Sequence, residues 1–334
     1  MIENHLGLFI KNFLSVLLSF LAFSLFAQDL HFSQFLATPM YINPAMTALA
    51  GGDCRAAALY RSQWRQISIP YNTLYGSYEH KMYWGKNLAG VGLMLANDQS
   101  GDAQYSVNDI RLSFAYHKRI GANFLSIGLQ PGFTIKQIGM SNLTYPVQYD
   151  PSIGGYNSGL NNFENGNIQE VKFMDVNAGL HWAGYASQKL SYRVGVSAIH
   201  ILQPVESFFN ASFKIYRKYN IHAGVEIAIN NSMALFPNGI FMTQGSNKEV
   251  LAGLNLLMSN SSLKLMPGLH YRSNDAVIPS FSVLIKQIQF GLSYDLNISS
   301  LQTATNNQGG LELSLIYRCF NSQLDQMKVP CERF

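Results

Sequence analysis

The sequence predicts an all-β protein, a transmembrane antiparallel outer-membrane β-barrel of about 14 strands with an N-terminal plug-like segment. Four observations lead there. Charged residues make up 13% of the 334 residues and aromatics also 13%, whereas soluble domains carry about 25% charged residues, so much of the surface faces something other than water. Apolar and polar residues alternate over roughly ten-residue segments, the signature of strands with a lipid face and a lumen face. Beyond residue 27, no run of about 18 apolar residues offers a membrane helix. Finally, the connections are sorted by length. Every second one is brief, and the long insertions fall on the other parity, as in barrels with short turns at one rim and longer loops at the other.

Residues 1–27 read as a signal peptide: Lys11 precedes an apolar run from Phe13 to Phe26, and Ala27 supplies a small residue at the cleavage point. Residues 28–53 form an N-terminal periplasmic segment. Its Phe32, Phe35, Tyr41 and Pro44 are too apolar for a free tail, so it is expected either to enter the barrel as a plug or to pack beneath the periplasmic rim. The barrel spans 54–320, and residues 321–334 form a periplasmic C-terminal tail.

The predicted strands are 54–63, 71–81, 88–98, 107–118, 124–138, 173–183, 190–200, 219–229, 233–244, 249–258, 263–272, 277–285, 288–298 and 311–320. The thirteenth is typical: Ile288, Phe290, Leu292, Tyr294, Leu296 and Ile298 share one face, while Gln289, Gly291, Ser293, Asp295 and Asn297 share the other. Long insertions follow the fifth strand (139–172), the seventh (201–218) and the thirteenth (299–310). Pro131, Pro237, Pro267 and Pro279 fall inside strands. Because proline cannot donate to a ladder, each is expected at a bulge or kink.

The formal charge of +4 and the absence of a Lys/Arg cluster argue against a nucleic-acid partner. The three cysteines, Cys54, Cys319 and Cys331, match no zinc pattern. Closure of an even-stranded barrel brings Cys54 and Cys319 to one seam, which leaves a Cys54–Cys319 disulfide, a Cys319–Cys331 disulfide and free thiols open. No hydrolase elbow, zinc-protease pair or phosphate loop is present, and the expectation is a chain without enzymatic activity, cofactor or metal. His117, His181 and His222 fall on lumen faces with Arg111, Asp175 and Glu226. A polar lumen needs such groups to satisfy one another, with metal binding or catalysis as the other reading. Arg61, Gln63 and Trp64 lie at the outer end of the first strand and read as an aromatic girdle with polar neighbours or as a partner contact.

Before the first strand stand His31-Phe32-Ser33-Gln34-Phe35, then Tyr41-Ile42-Asn43-Pro44-Ala45 and Gly51-Gly52. Tyr60-Arg61-Ser62-Gln63-Trp64, Asn97-Asp98-Gln99-Ser100-Gly101, Tyr116-His117 and Leu125-Ser126-Ile127-Gly128-Leu129 follow along the barrel. The tail is Val329-Pro330-Cys331-Glu332-Arg333-Phe334. Together these resemble the PorP/SprF family of type IX secretion membrane proteins across nearly the whole mature chain, with Glu332 where that family's ending often carries proline. The resemblance implies an outer-membrane component of type IX secretion and gliding motility. Its implied partners are periplasmic-ring secretion proteins or a peptidoglycan-binding lipoprotein, a secreted surface adhesin or its C-terminal sorting domain, and outer-membrane lipid. The positions that match the motifs, Phe32, Ser33, Gln34, Phe35, Asn43, Pro44, Ala45, Arg61, Gln63, Trp64, Asp98, Gly101, Pro330, Arg333 and Phe334, become candidate partner-binding residues. A FadL-like channel for small hydrophobic molecules, which shares a barrel with a plugging N-terminal segment, is the competing reading.

Overall fold

The computed structural model describes residues 29–65, 69–84, 87–101, 104–139, 143–157, 159–161, 169–208, 211–261, 263–300 and 302–320. The expected signal peptide and C-terminal tail, with Pro330, Cys331, Arg333 and Phe334, lie outside the described residues. The chain divides into two units, residues 1–30 and 31–334. In the first, the two described residues, Asp29 and Leu30, have no regular secondary structure.

The second unit holds β1 (Cys54–Gln63), β2 (Tyr71–Trp84), β3 (Asn87–Ser100), β4 (Tyr105–Ile120) and β5 (Asn123–Ile138). Two short strands, β6 (Tyr149–Asp150) and β7 (Gly155–Tyr156), pair within the following loop. Next come β8 (Gln169–Ser187) and β9 (Leu190–Ile199), then a second loop hairpin of β10 (Val205–Phe208) and β11 (Ala211–Lys214). The chain continues with β12 (Lys218–Ala228), β13 (Met233–Gln244), β14 (Asn247–Ser259), β15 (Leu263–Arg272), β16 (Ala276–Ile285), β17 (Ile288–Asn297) and β18 (Gln308–Cys319). Without the two hairpins, fourteen strands close into an antiparallel barrel, each beside its chain neighbour and β1 beside β18. These fourteen strands coincide with the fourteen predicted segments, most of them longer by a few residues.

Alternation sets the two faces, and burial is inverted relative to a soluble domain. In β4, Ile110, Leu112, Phe114 and Tyr116 are exposed, while Asp109, Arg111, Ser113 and His117 are buried; Leu112 is 51% exposed and His117 0%. An apolar outer face suits hydrocarbon, and a polar inner face is tolerable only where its groups find partners. Among the described residues no helix is long and apolar enough to cross a membrane.

Connections after β2, β4, β8, β12, β14 and β16 are short and share one rim. The opposite rim carries the long loops, but not evenly: the links after β13 and β15 are tight turns, so the loop mass gathers over β1–β12 and beside β17–β18. At the seam Cys54 lies opposite Cys319, and the two form a disulfide across a Cα separation of 5.1 Å.

The four strand prolines do not sit at bulges. Pro131, Pro237, Pro267 and Pro279 each pair in register with one neighbour. On the other side the ladder is interrupted and resumes in the same register. In an antiparallel sheet a residue directs its N–H and C=O toward the same neighbour, so a proline forfeits bonding on one side only. Register shifts occur elsewhere, at Tyr185/Ser187 between β8 and β9 and at Tyr294/Leu296 between β17 and β18.

Candidate functional site

The inner wall carries residues 31–49 of the same unit. Their fold is locally specified by three short helical turns, Phe35–Ala37, Pro39–Ile42 and Pro44–Met46. The last two begin on proline, which has no N–H to leave unpaired in a first turn. Asn43 caps the third turn, its Oδ1 accepting from the Ala45 N–H at 2.9 Å. The apolar residues face their own partners. Phe35 and Ile42 pack with Ile240, Leu251 and Ile278, and Phe32 meets the edges of Tyr41 and Tyr75 at ring distances of 5.3 and 5.6 Å.

Ser33 and Gln34 lie over a buried group of two arginines and two carboxylates. Arg61 pairs with Asp295 at 3.0 Å and with Glu312; Arg272 pairs with the same Asp295 oxygen at 3.0 Å and with Asp275 at 2.8 Å. Into this cluster the Ser33 hydroxyl donates to Asp295 at 2.6 Å while accepting from Arg61 and Arg272. The Ser33 and Gln34 N–H groups take one oxygen each of Glu312, both at 2.7 Å. The Gln34 amide is held by the Glu312 carbonyl and the Ser314 hydroxyl. Two positive and two negative groups at β1, β15, β17 and β18 thus pair with one another and bond the motif's backbone, as buried charges need partners. A second pair, Arg55 and Glu79 at 2.8 Å, grips the Ala37 carbonyl and the Ala48 N–H.

The Asn-Pro-Ala turn lies on the opposite wall. Asn43 Nδ2 donates to the Leu180 and Val196 carbonyls at 2.9 and 3.2 Å and stands 3.1 Å from His222 Nε2. Ser197 and Asn220 donate to the Ile42 carbonyl at 2.5 and 2.8 Å. Inward-facing glycines make room: a Cβ at Gly128 would strike the Pro44–Ala45 backbone, one at Gly90 the Thr47 backbone, and one at Gly179 or Gly195 the Asn43 side chain.

The six expected lumen residues are all buried and inward-facing, with partners more varied than the sequence indicated. Arg111 pairs with Asp109 at 2.6 Å and stands 3.7 Å from Asp175; Asp175 takes His200 at 2.5 Å. His117 bonds Ser126 at 2.8 Å and the Thr47 carbonyl at 2.9 Å, and His181 stacks on His222 at 5.3 Å. Glu226 lies on the same inner face. Among the described residues no group of three or more His, Cys, Asp or Glu is placed to hold a metal ion.

Of the partner-contact candidates, Phe32, Ser33, Gln34, Phe35, Asn43, Pro44 and Ala45 are gathered on the inner wall. Arg61 points inward, 2% exposed, and belongs to the ionic cluster. Gln63 turns its amide toward Arg61. Trp64 packs edge-on against Tyr71 at 4.8 Å at the loop rim. Asp98 accepts from Thr73 at 2.6 Å, and Gly101 turns the chain after β3 with φ +67°. Arg55, Glu79, Arg272, Asp295, Glu312 and the inner glycines were not singled out by the sequence; their signal is polar or glycine identity at inward positions of alternating strands. In the long loop, Asp150 binds Ser152 and Asn157, and these bonds hold its carboxyl below the usual carboxylate range.

A closed barrel with apolar residues outside and polar residues inside defines an outer-membrane β-barrel protein. Residues 24–317 match the family described as type IX secretion system membrane protein PorP/SprF, and the chain belongs to that family. It is thereby an outer-membrane component of type IX secretion. No curated protein matches the chain. Among solved structures, the toluene transporter TbuX of Ralstonia pickettii is similar at TM-score 0.52 and 11% identity, over 85% of this chain and 94% of that one. The TodX monoaromatic hydrocarbon channel deltaS2 mutant is similar at 0.54 and 9%, over 84% and 93%. The CymD monoaromatic hydrocarbon channel is similar at 0.51 and 12%, over 85% and 93%. At such identity the likeness is one of fold alone.

Proposed function

We propose that the chain is a holding component of type IX secretion, without enzymatic activity, whose loops and rims bind protein partners. In this reading the short turns and the C-terminal tail face the periplasm. There they meet periplasmic-ring proteins or a peptidoglycan-binding lipoprotein. The long loops face outward and receive a secreted adhesin or its C-terminal sorting domain, supporting its export, its attachment or gliding. The observation that carries the reading is the seating of residues 31–49 on the inner wall, where Arg55, Arg61, Glu79, Asp295 and Glu312 bond the chain's own segment; in this reading the segment acts as a plug. Outer-membrane barrels have no nucleotide supply, so energy for export arrives through partners.

The loop after β5 supports the outward role, since it carries the exposed Val147, Tyr149, Ile153 and Tyr156 on a small hairpin and loops on a rigid scaffold are where recognition concentrates. Deleting residues 145–170 is expected to leave the barrel heat-modifiable in the outer membrane and to abolish surface display of the cognate secreted protein. Normal display from the deletion strain would contradict the proposal.

One observation favours a channel for small hydrophobic molecules as a second reading. A recess of about 450 Å³ on the outer wall is lined by Ala58, Tyr60, Leu74, Phe281, Leu292 and Leu313, on a barrel whose fold resembles hydrocarbon channels. Uptake of a labelled aromatic hydrocarbon that depends on this chain would favour it.

A further inference from the structure

The two rims of the barrel differ in charge. Lys118 and Arg119 at the end of β4, Lys189 between β8 and β9, and Lys286 between β16 and β17 are exposed at the short-turn rim. Among the described residues none of these four meets a carboxylate, and the acidic residues of that rim, Asp53, Glu79 and Glu226, are buried. At the loop rim the charges are mixed and paired, Lys136 with Glu206 at 2.6 Å and Lys172 with Glu170. The turn-rim cations are also spread round the ring, with Lys286 across the barrel from Lys118 and Lys189.

A row of side chains on the outward face sets the depth of these cations. Residues directly opposite in an antiparallel ladder share a face, and Lys118, Leu125, Trp182 and Val194 stand opposite one another on β4, β5, β8 and β9. The Trp182 indole N–H donates to the Tyr192 hydroxyl at 3.0 Å, which in turn donates to Asn123 Oδ1 at 3.4 Å. Outward Trp and Tyr side chains mark the level of the lipid headgroups, so Lys118 stands at that level. The next row toward the middle of the wall, Tyr116, Ile127, Leu180 and Val196, is exposed and offers acyl chains an apolar surface. Lys286 is likewise flanked by an exposed outward pair, Ile285 and Ile288.

We propose that these cations form a collar that binds the phosphate headgroups of anionic phospholipids in the leaflet at the short-turn rim, whose acyl chains lie along the apolar rows. A lipid annulus reaches every sector of the ring and the outward face of β4, whereas an acidic protein beneath the mouth would leave Lys118 untouched. The chemistry of the collar does not depend on which side of the membrane this rim faces. Each Lys or Arg near an anionic surface adds to the attraction, and salt weakens it.

The full-length barrel, purified and delipidated in neutral detergent, is mixed with phosphatidylglycerol and phosphatidylethanolamine of identical acyl chains, and bound lipid is read by native mass spectrometry. The wild type is expected to hold phosphatidylglycerol at least about tenfold more tightly than phosphatidylethanolamine. Lys118→Gln/Lys189→Gln/Lys286→Gln should lose at least about tenfold of the phosphatidylglycerol affinity. Lys214→Gln/Arg217→Gln/Lys248→Gln, which removes the same charge from exposed positions at the loop rim, should not. Sodium phosphate should displace the lipid no better than sodium chloride at equal ionic strength. Equal binding of the two lipids would overturn the proposal and assign the cations to an acidic protein surface. Undiminished binding by the turn-rim variant, an equal loss in the loop-rim variant, or preferential displacement by phosphate would overturn it as well.

Discussion

Ser33 is one hydroxyl among four buried charges, and the balance around it depends on every member. Asp295 faces both Arg61 and Arg272. It also lies where the wall is interrupted twice: opposite Pro279-bearing β16, where rungs are missing, and at the register shift against β18. Deleting one partner of a buried ion pair leaves an uncompensated charge and costs about 3–5 kcal/mol. Asp295→Ala is therefore expected to lower the temperature at which the barrel loses its compact gel mobility and to release the N-terminal segment to trypsin. Asp275→Ala, at the exposed end of the same network, should do neither, because a partly exposed pair contributes about 0–1 kcal/mol. Identical behaviour of the two variants, read by semi-native electrophoresis, would contradict the role given to the cluster.

The seated segment works as an element because the wall beneath it is built for it. Gly90 and Gly128 face inward where the Thr47 and Pro44–Ala45 backbones approach too closely for any Cβ, so the neighbour cannot yield by turning a side chain. Gly128→Leu is expected to leave strand pairing intact, since Leu tolerates a pleated surface, and to dislodge the Asn43 turn. Conductance of the purified barrel in planar bilayers should rise well above that of the wild type; unchanged conductance would show that the turn does not close the lumen. Strands, their count and their faces were legible in the sequence because period-two alternation is a local signal. The inner contacts were not. Ser33 meets Glu312 across 279 residues of chain, and periodicity reports which face a residue occupies, not what crosses the lumen to meet it. Arg61 illustrates the limit: nothing in the sequence of β1 tells that Ser33, Asp295 and Glu312 meet it inside the barrel. The prolines mislead for a related reason, since sequence does not tell which side of a strand carries the missing donor.

At the scale of the whole molecule, the Cys54–Cys319 disulfide links the first and last barrel strands across 265 residues. Joining residues so far apart constrains the unfolded chain, a stabilisation of about 2–5 kcal/mol. Cys54→Ser/Cys319→Ser should still insert as a barrel but unfold at lower temperature, and a reductant should shift the wild type alone; equal unfolding temperatures would remove the seam bond from the account. Apolar outer walls, an N-terminal segment bonded to the inner wall and long loops at one rim support the proposed role of holding other proteins at the outer membrane. Affinity capture of the tagged full-length chain from gently solubilised outer membranes, with mass spectrometry of what stays bound, tests this most directly. Recovery of periplasmic secretion proteins, a large secreted protein, or both is the predicted result. Recovery of the barrel alone, carrying small hydrophobic molecules, would contradict it.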